Sequence, residues 1–107
     1  VKLDPRNPVT RYDRGTAWEA KNDLDRALAD YDEAARLDPR FAPAFAGRGT
    51  AWLRKGDVEK ALANYDEALR LNPKDAYTLA NRGGAWQRKG NLRRALADYD
   101  DAIRLNP

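Results

Sequence analysis

Residues 42–73 read APAFAGRGTAWLRKGDVEKALANYDEALRLNP, and this stretch decides the fold. Its second half places Val58, Ala61, Leu62, Tyr65, Ala68 and Leu69 at i, i+3, i+4, i+7, i+10 and i+11, one stripe of a 3.6-residue helix. Its first half carries a narrower stripe, Phe45, Gly49 and Trp52. Between the two stands Lys55-Gly56-Asp57. Glycine suits the left-handed turn that closes one helix, and aspartate caps the start of the next. Asn72-Pro73 ends the second helix, because the residue before a proline avoids helical dihedrals. The stretch is a helical hairpin, with a helix A and a helix B.

Working outward, the same hairpin returns on both sides. Prolines 5, 39, 73 and 107 are each 34 residues apart. Units beginning at Pro8, Ala42 and Ala76 share the same residue at 14 of their 32 common places. Those places include Arg-Gly (14–15, 48–49, 82–83), Ala-Trp (17–18, 51–52, 85–86), Ala-Leu-Ala (27–29, 61–63, 95–97) and Tyr-Asp (31–32, 65–66, 99–100). Chance does not produce that agreement, so repeat architecture governs the chain. The pattern predicts helix A over 8–21, 42–55 and 76–89, and helix B over 23–36, 57–70 and 91–105. Gly90-Asn91 repeats the turn chemistry, and Asn22-Asp23 does so with asparagine.

Gly15, Gly49 and Gly83 lie mid-helix, where glycine costs roughly 0.5–1 kcal/mol relative to alanine. The expected reason is close approach of helix B at Ala27, Ala61 and Ala95. Trp18, Trp52 and Trp86, with Tyr31, Tyr65 and Tyr99, are expected to fill the core. Truncating one of these tryptophans would then cost about 3–5 kcal/mol.

Composition narrows the chemistry. The 107 residues include no cysteine, no histidine and no serine. That removes disulfides, thiolate and imidazole metal ligands, and the usual nucleophiles and general base. Neither cofactor nor metal is expected. No stretch approaches the ~20 apolar residues of a membrane span, so no membrane partner is expected. The carboxylate pairs Asp32-Glu33, Asp66-Glu67 and Asp100-Asp101 recur in every helix B, which reads as structure rather than a single catalytic pair. Cross-helix pairing of Arg14, Arg48 and Arg82 with Asp32, Asp66 and Asp100 is expected. Nucleic acid is disfavoured: the net charge is only +3, and the charges are interspersed.

The second unit shows Phe45-x2-Arg48-Gly49-x2-Trp52, then Ala61-x3-Tyr65, then Pro73. Spacing and residue types resemble the tetratricopeptide pattern, W-x2-L-G-x2-Y, then A-x3-F, then P. All three units carry the likeness, with Trp where Tyr is usual and Arg where Leu is usual. The resemblance implies an all-α, right-handed α-solenoid of three helix-turn-helix repeats, 8–41, 42–75 and 76–107. Residues 1–7 then read as the remnant of a preceding repeat. A chain that opens on Val1 and lacks methionine fits a piece of a longer array, or a designed one.

The resemblance further implies that helix A lines a concave groove. Its candidate peptide-binding residues are Tyr12, Thr16, Glu19, Thr50, Leu53, Arg54, Tyr77, Asn81, Gln87 and Arg88. Tyr12 and Tyr77 are surplus to the core register, and stand as peptide anchors or as inter-repeat or surface packing. Helix A carries charges of +1, +3 and +3 along the units and helix B −4, −2 and 0, which points to a positive groove and an acidic protein or peptide partner. Family members that clamp the acidic tails of heat-shock chaperones do so with lysines, asparagines and an arginine. Those places here carry Tyr12, Thr16, Gly47, Tyr77 and Asn81, none of which matches. The leading reading is a non-enzymatic protein-interaction module. The alternative is an assembly or scaffold element that stacks head-to-tail into a homo-oligomer through an uncovered face at Leu96, Tyr99 and Ile103.

Overall fold

The computed structural model describes residues 6–106, and among them it forms six α-helices and no strand. These are α1 (Pro8–Ala20), α2 (Leu24–Leu37), α3 (Ala42–Lys55), α4 (Val58–Leu71), α5 (Ala76–Lys89) and α6 (Leu92–Leu105). The remnant of a preceding repeat expected at 1–7 falls mainly on residues 1–5, outside the described ones. Helix bounds agree with the repeat pattern to about one residue, with one systematic offset at helix B. Asp23, Asp57 and Asn91 stand before the helix as caps, their side chains accepting the backbone N–H of Arg26, Lys60 and Arg94. Just ahead of each cap the chain turns through the left-handed region, at Asn22 (φ 62°), Gly56 (φ 92°) and Gly90 (φ 89°). That turn folds each second helix back along the first.

Each helix packs chiefly on its hairpin partner, and then on the next hairpin, α2 against α3 and α4 against α5. Helix α1 also touches α3, and α3 touches α5, whereas among the described residues α2, α4 and α6 do not touch one another. The first helices therefore make a continuous inner wall and the second helices a splayed back. The result measures 46 × 26 × 21 Å, a short solenoid elongated along the stacking axis.

The seam between hairpins is apolar and repeats. Ala27, Leu28 and Tyr31 pack with Ala51, and Ala61, Leu62 and Tyr65 pack with Ala85. Tyr31 and Tyr65 are the largest fully buried side chains. Each contributes roughly 1.5–3 kcal/mol by burial. They also explain the helical glycines. A Cβ at Gly15, Gly49 or Gly83 would lie 2.7, 2.7 or 2.9 Å from the ring of Tyr31, Tyr65 or Tyr99. The closest approach is thus to a tyrosine ring and not, as expected, to an alanine, although the Ala27 carbonyl also lies 3.3 Å from the Gly15 position. The Tyr31 ring is flanked on its other side by Gly47, where a Cβ would sit 2.8 Å away.

The tryptophans differ from expectation as well. Trp18, Trp52 and Trp86 are only half-buried. Each packs one edge on the core while Arg26, Lys60 or Arg94 lies over the ring at 4.6, 4.2 or 4.8 Å. A half-buried ring with a cation on its face gives up about 2 kcal/mol on truncation, below the figure for a full core position.

Arginine pairing also departs from expectation, in an informative way. Arg14 binds Asp30 bidentately at 2.7 and 2.8 Å, and Arg82 binds Asp98 bidentately at 2.8 Å. The within-hairpin partner therefore stands two residues before the expected aspartate. The expected aspartates pair forward instead: Asp32 with Arg48 at 3.4 Å and Asp66 with Arg82 at 3.0 Å, each in the next hairpin. In the middle repeat Asn64 replaces the within-hairpin aspartate and donates to the Lys60 carbonyl. Buried Arg48 Nε is left without a hydrogen bond.

Candidate functional site

The concave side of the first-helix wall holds a trough of about 510 Å³. Of the ten groove candidates, seven line it: Tyr12, Thr16, Glu19, Thr50, Arg54, Tyr77 and Asn81. Small residues Ala46 and Gly47 form its floor in the middle repeat. Pro43, Asp75 and Thr78 line it unexpectedly. An aspartate directly before a helix start is a cap signal, and Asp75 does cap α5, accepting from Tyr77 N and Thr78 N. The cap carries Asp75 to the rim.

Leu53, Gln87 and Arg88 stand outside the trough, and their hydrogen bonds and packing say why. Leu53 packs against the Tyr65 cluster. Gln87 Oε1 accepts from Tyr99 OH at 3.0 Å. Arg88 donates to the Leu53 carbonyl at 2.8 Å. Arg54 repeats this one unit earlier, donating to the Glu19 carbonyl at 2.9 Å and to Asn22 Oδ1 at 2.8 Å. Both arginines therefore tie the C-terminal end of one first helix to the next.

The two surplus tyrosines have separate fates. Tyr12 is half-buried, its ring centroid 5.7 Å from that of Tyr31 and 5.7 Å, edge-on, from that of Phe41. It serves inter-repeat packing while its edge faces the trough. Tyr77 is 75% exposed. Asn81 is exposed beside it on α5.

Most of the bases behind the expected positive groove are engaged by neighbouring groups. Lys55 and Lys89 reach back to Asp25 and Glu59 in the preceding second helix, at 2.5 and 2.6 Å. Arg14, Arg48 and Arg82 lie in the helix A–helix B pairs described above. Among the described residues Arg54 is the one base lining the trough, and it is held by Glu19 and Asn22. Glu19 in turn accepts from Tyr31 OH at 2.8 Å. Burial first, and then Glu19, Asp13 and Asp75, raise the Tyr12 hydroxyl above its ordinary pKa. Burial and the Glu19 hydrogen bond likewise push the Tyr31 hydroxyl upward. Tyr65 is raised mainly by burial, with its hydroxyl 2.8 Å from Thr50 Oγ1.

Among the described residues no three acidic groups gather as a metal cage, and no helix is long and apolar enough to cross a membrane. On the far end of the stack, Leu96 and Ile103 are 61% and 63% exposed, while Tyr99 is half-buried. Their counterparts Leu62 and Leu69 are 5% and 7% exposed under the next hairpin.

Comparison with known proteins gives the same fold. The first tetratricopeptide domain of Spaghetti (RPAP3), solved bound to the HSP90 peptide SRMEEVD, superposes with a TM-score of 0.92 at 21% identity, over 100% of this chain and 85% of that one. The second such domain of Spaghetti, bound to the same peptide, gives 0.90 at 25% identity, over 94% and 93%. The tetratricopeptide domain of Arabidopsis OM64 gives 0.90 at 23% identity, over 94% and 83%. A search of curated proteins finds no match. A family profile described as tetratricopeptide repeat matches residues 12–76. With its 34-residue period, six paired helices and this match, the chain belongs to the tetratricopeptide repeat family.

Proposed function

We propose that the chain is a non-enzymatic protein-interaction module that receives a peptide segment of a partner protein along the trough of α1, α3 and α5. The observation that carries this reading is Tyr77, an aromatic ring 75% exposed on the concave wall, beside exposed Asn81 and opposite the small floor at Ala46 and Gly47. A large apolar side chain left in water inside a concavity is a natural anchor, and a side-chain amide beside it can bond an extended backbone. No histidine, cysteine or serine is available for catalysis, and the Glu19 and Asp75 carboxylates are engaged in structural hydrogen bonds.

Helix A's surplus of bases points to an acidic partner, but Arg14, Arg48, Arg54, Lys55, Arg82 and Lys89 are paired with carboxylates within the fold. With Arg54 itself held by Glu19 and Asn22, the trough favours a polar, largely uncharged segment instead. The two Spaghetti domains are bound to SRMEEVD. Here the clamp places hold Tyr12, Thr16, Gly47, Tyr77 and Asn81, so titration with SRMEEVD is expected to give no saturable binding below about 1 mM.

Selection from a displayed peptide library tests the trough directly. Peptides chosen on the wild type should lose at least tenfold in affinity for a Tyr77→Ala/Asn81→Ala variant of unchanged helicity. Indifference to that variant would remove the trough as the site.

A further inference from the structure

On α5 the lining of the trough ends at Asn81, but the helix face that carries it continues. Tyr77, Asn81, Gly84 and Arg88 stand at i, i+4, i+7 and i+11, one stripe of the helix. Two residues on that stripe set α5 apart from α1 and α3. Gly84 sits mid-helix, where glycine is unfavourable. Gly15, Gly49 and Gly83 each make room for a tyrosine ring, but a Cβ at Gly84 would meet only the Tyr99 hydroxyl, at an ordinary 3.7 Å. The same place holds Thr16 in α1 and Thr50 in α3, so the stacking of hairpins does not require glycine there. Arg88 is the second. Its counterpart Arg54 is held by the Glu19 carbonyl, Asn22 Oδ1 and the Glu19 carboxylate. One period later Leu53 and Gly56 stand in place of Glu19 and Asn22, and only the backbone carbonyl remains. Among the described residues no acid pairs with exposed Arg88. Arg54 takes its partners from the hairpin before it, so the contrast between the two arginines is set inside the stack.

We propose that Gly84 and Arg88 carry the trough on into a second subsite, where the bound segment passes its backbone over Gly84 and sets one Asp or Glu side chain on Arg88. This rests on the peptide reading of the trough, and it places the acid of that largely uncharged segment. A helical glycine free of packing demands lets another backbone approach closely. A carboxylate matches the unused donors of a guanidinium, as Asp30 and Asp98 do for Arg14 and Arg82. From Tyr77 to Arg88 the helix rises about 16 Å, which an extended chain covers in about five residues. The acid therefore stands about that far along the segment from the residue that meets Tyr77.

Peptides selected on the wild type test the subsite through ratios of affinity. They should share one acid, spaced about four to six residues from a common apolar or aromatic position. Replacing that acid by its amide should weaken binding about 3- to 10-fold at low salt on the wild type, and less than about twofold on Arg88→Gln. On Arg54→Gln the full penalty should remain. Each ratio compares two peptides on one protein, so a small loss of stability at Arg88 does not move it. The penalty should fade near 1 M salt, where the screening length is about 3 Å. Gly84→Thr, which copies the inner repeats, should keep its helicity and melting temperature yet bind about threefold more weakly or worse. Equal acid-to-amide ratios on wild type and Arg88→Gln, or selected peptides with no acid at that spacing, would overturn the role of Arg88. Full affinity of Gly84→Thr would overturn the backbone path. In each case the Tyr77→Ala/Asn81→Ala variant still weakens the peptides if the trough stands, and leaves them unchanged if the trough itself is wrong.

Discussion

A single residue separates the middle repeat from its neighbours in the helix A–helix B pair. Arg14 and Arg82 each grip a buried aspartate with two hydrogen bonds, whereas the middle repeat has Asn64 at that place, and it donates to the Lys60 carbonyl. Arg48 Nε is buried with no hydrogen bond, its nearest acid being Asp32 at 3.4 Å, and a lost buried bond costs about 1–3 kcal/mol. Asn64→Asp should restore the fork seen in the outer repeats and stabilise the fold by about 1–2 kcal/mol, read as a higher melting temperature near neutral pH. Arg48→Leu introduced on top should erase the gain. A lower melting temperature for Asn64→Asp alone would mean that the middle pocket does not accept the charge. The repeat pattern exposes Asn64 as the odd member of an Asp-Asn-Asp series. Its partner was not legible, because two aspartates of helix B lie two residues apart and only their rotation about the helix axis separates them. The same applies to Gly15, Gly49 and Gly83: their recurrence signals a close contact, but which side chain fills it depends on tyrosine rotamers.

At the scale of elements, hairpins are joined by an apolar seam together with polar ties at its inner edge. Arg54 binds the exposed carbonyl end of α1, and Arg88 does the same for α3. A guanidinium there satisfies a terminal carbonyl and meets the negative end of the helix dipole. Arg88→Ala should cost about 0.5–1 kcal/mol and speed amide exchange selectively in α5 and α6, while α1 and α2 keep their protection. Uniform acceleration would show that the tie is not local. Helix existence, caps and turns were legible because each rests on short-range chemistry: Gly56 and Gly90 in the left-handed region, Asp23 and Asp57 at caps. That Leu53, Gln87 and Arg88 lie outside the trough was not legible, because repeat position alone cannot tell a side chain that enters it from one that reaches sideways to the neighbouring hairpin.

For the whole molecule, the buried tyrosines make stability depend on alkaline pH. In the unfolded chain a tyrosine ionises near its ordinary pKa of about 10. Burial first, with added hydrogen bonding to Glu19 at Tyr31, holds Tyr12, Tyr31 and Tyr65 protonated to higher pH in the fold. Below about pH 10 both states carry these protons and the contribution is intact. Above it the unfolded state gives them up first, so stability falls as pH rises. Melting followed from pH 8 to 11.5 should show that decline, and tyrosinate absorbance should rise together with loss of helicity rather than before it. Tyrosinate forming while helicity persists would show that the seam tolerates ionised rings.

The splayed back has a mechanical consequence. With α2, α4 and α6 out of contact with one another, the outside carries no continuous seam, and bending of the arc falls on the junctions where α2 meets α3 and α4 meets α5. The width of the trough is thereby coupled to the curvature of the stack, and tension applied between the two ends would be felt there as a change in that width.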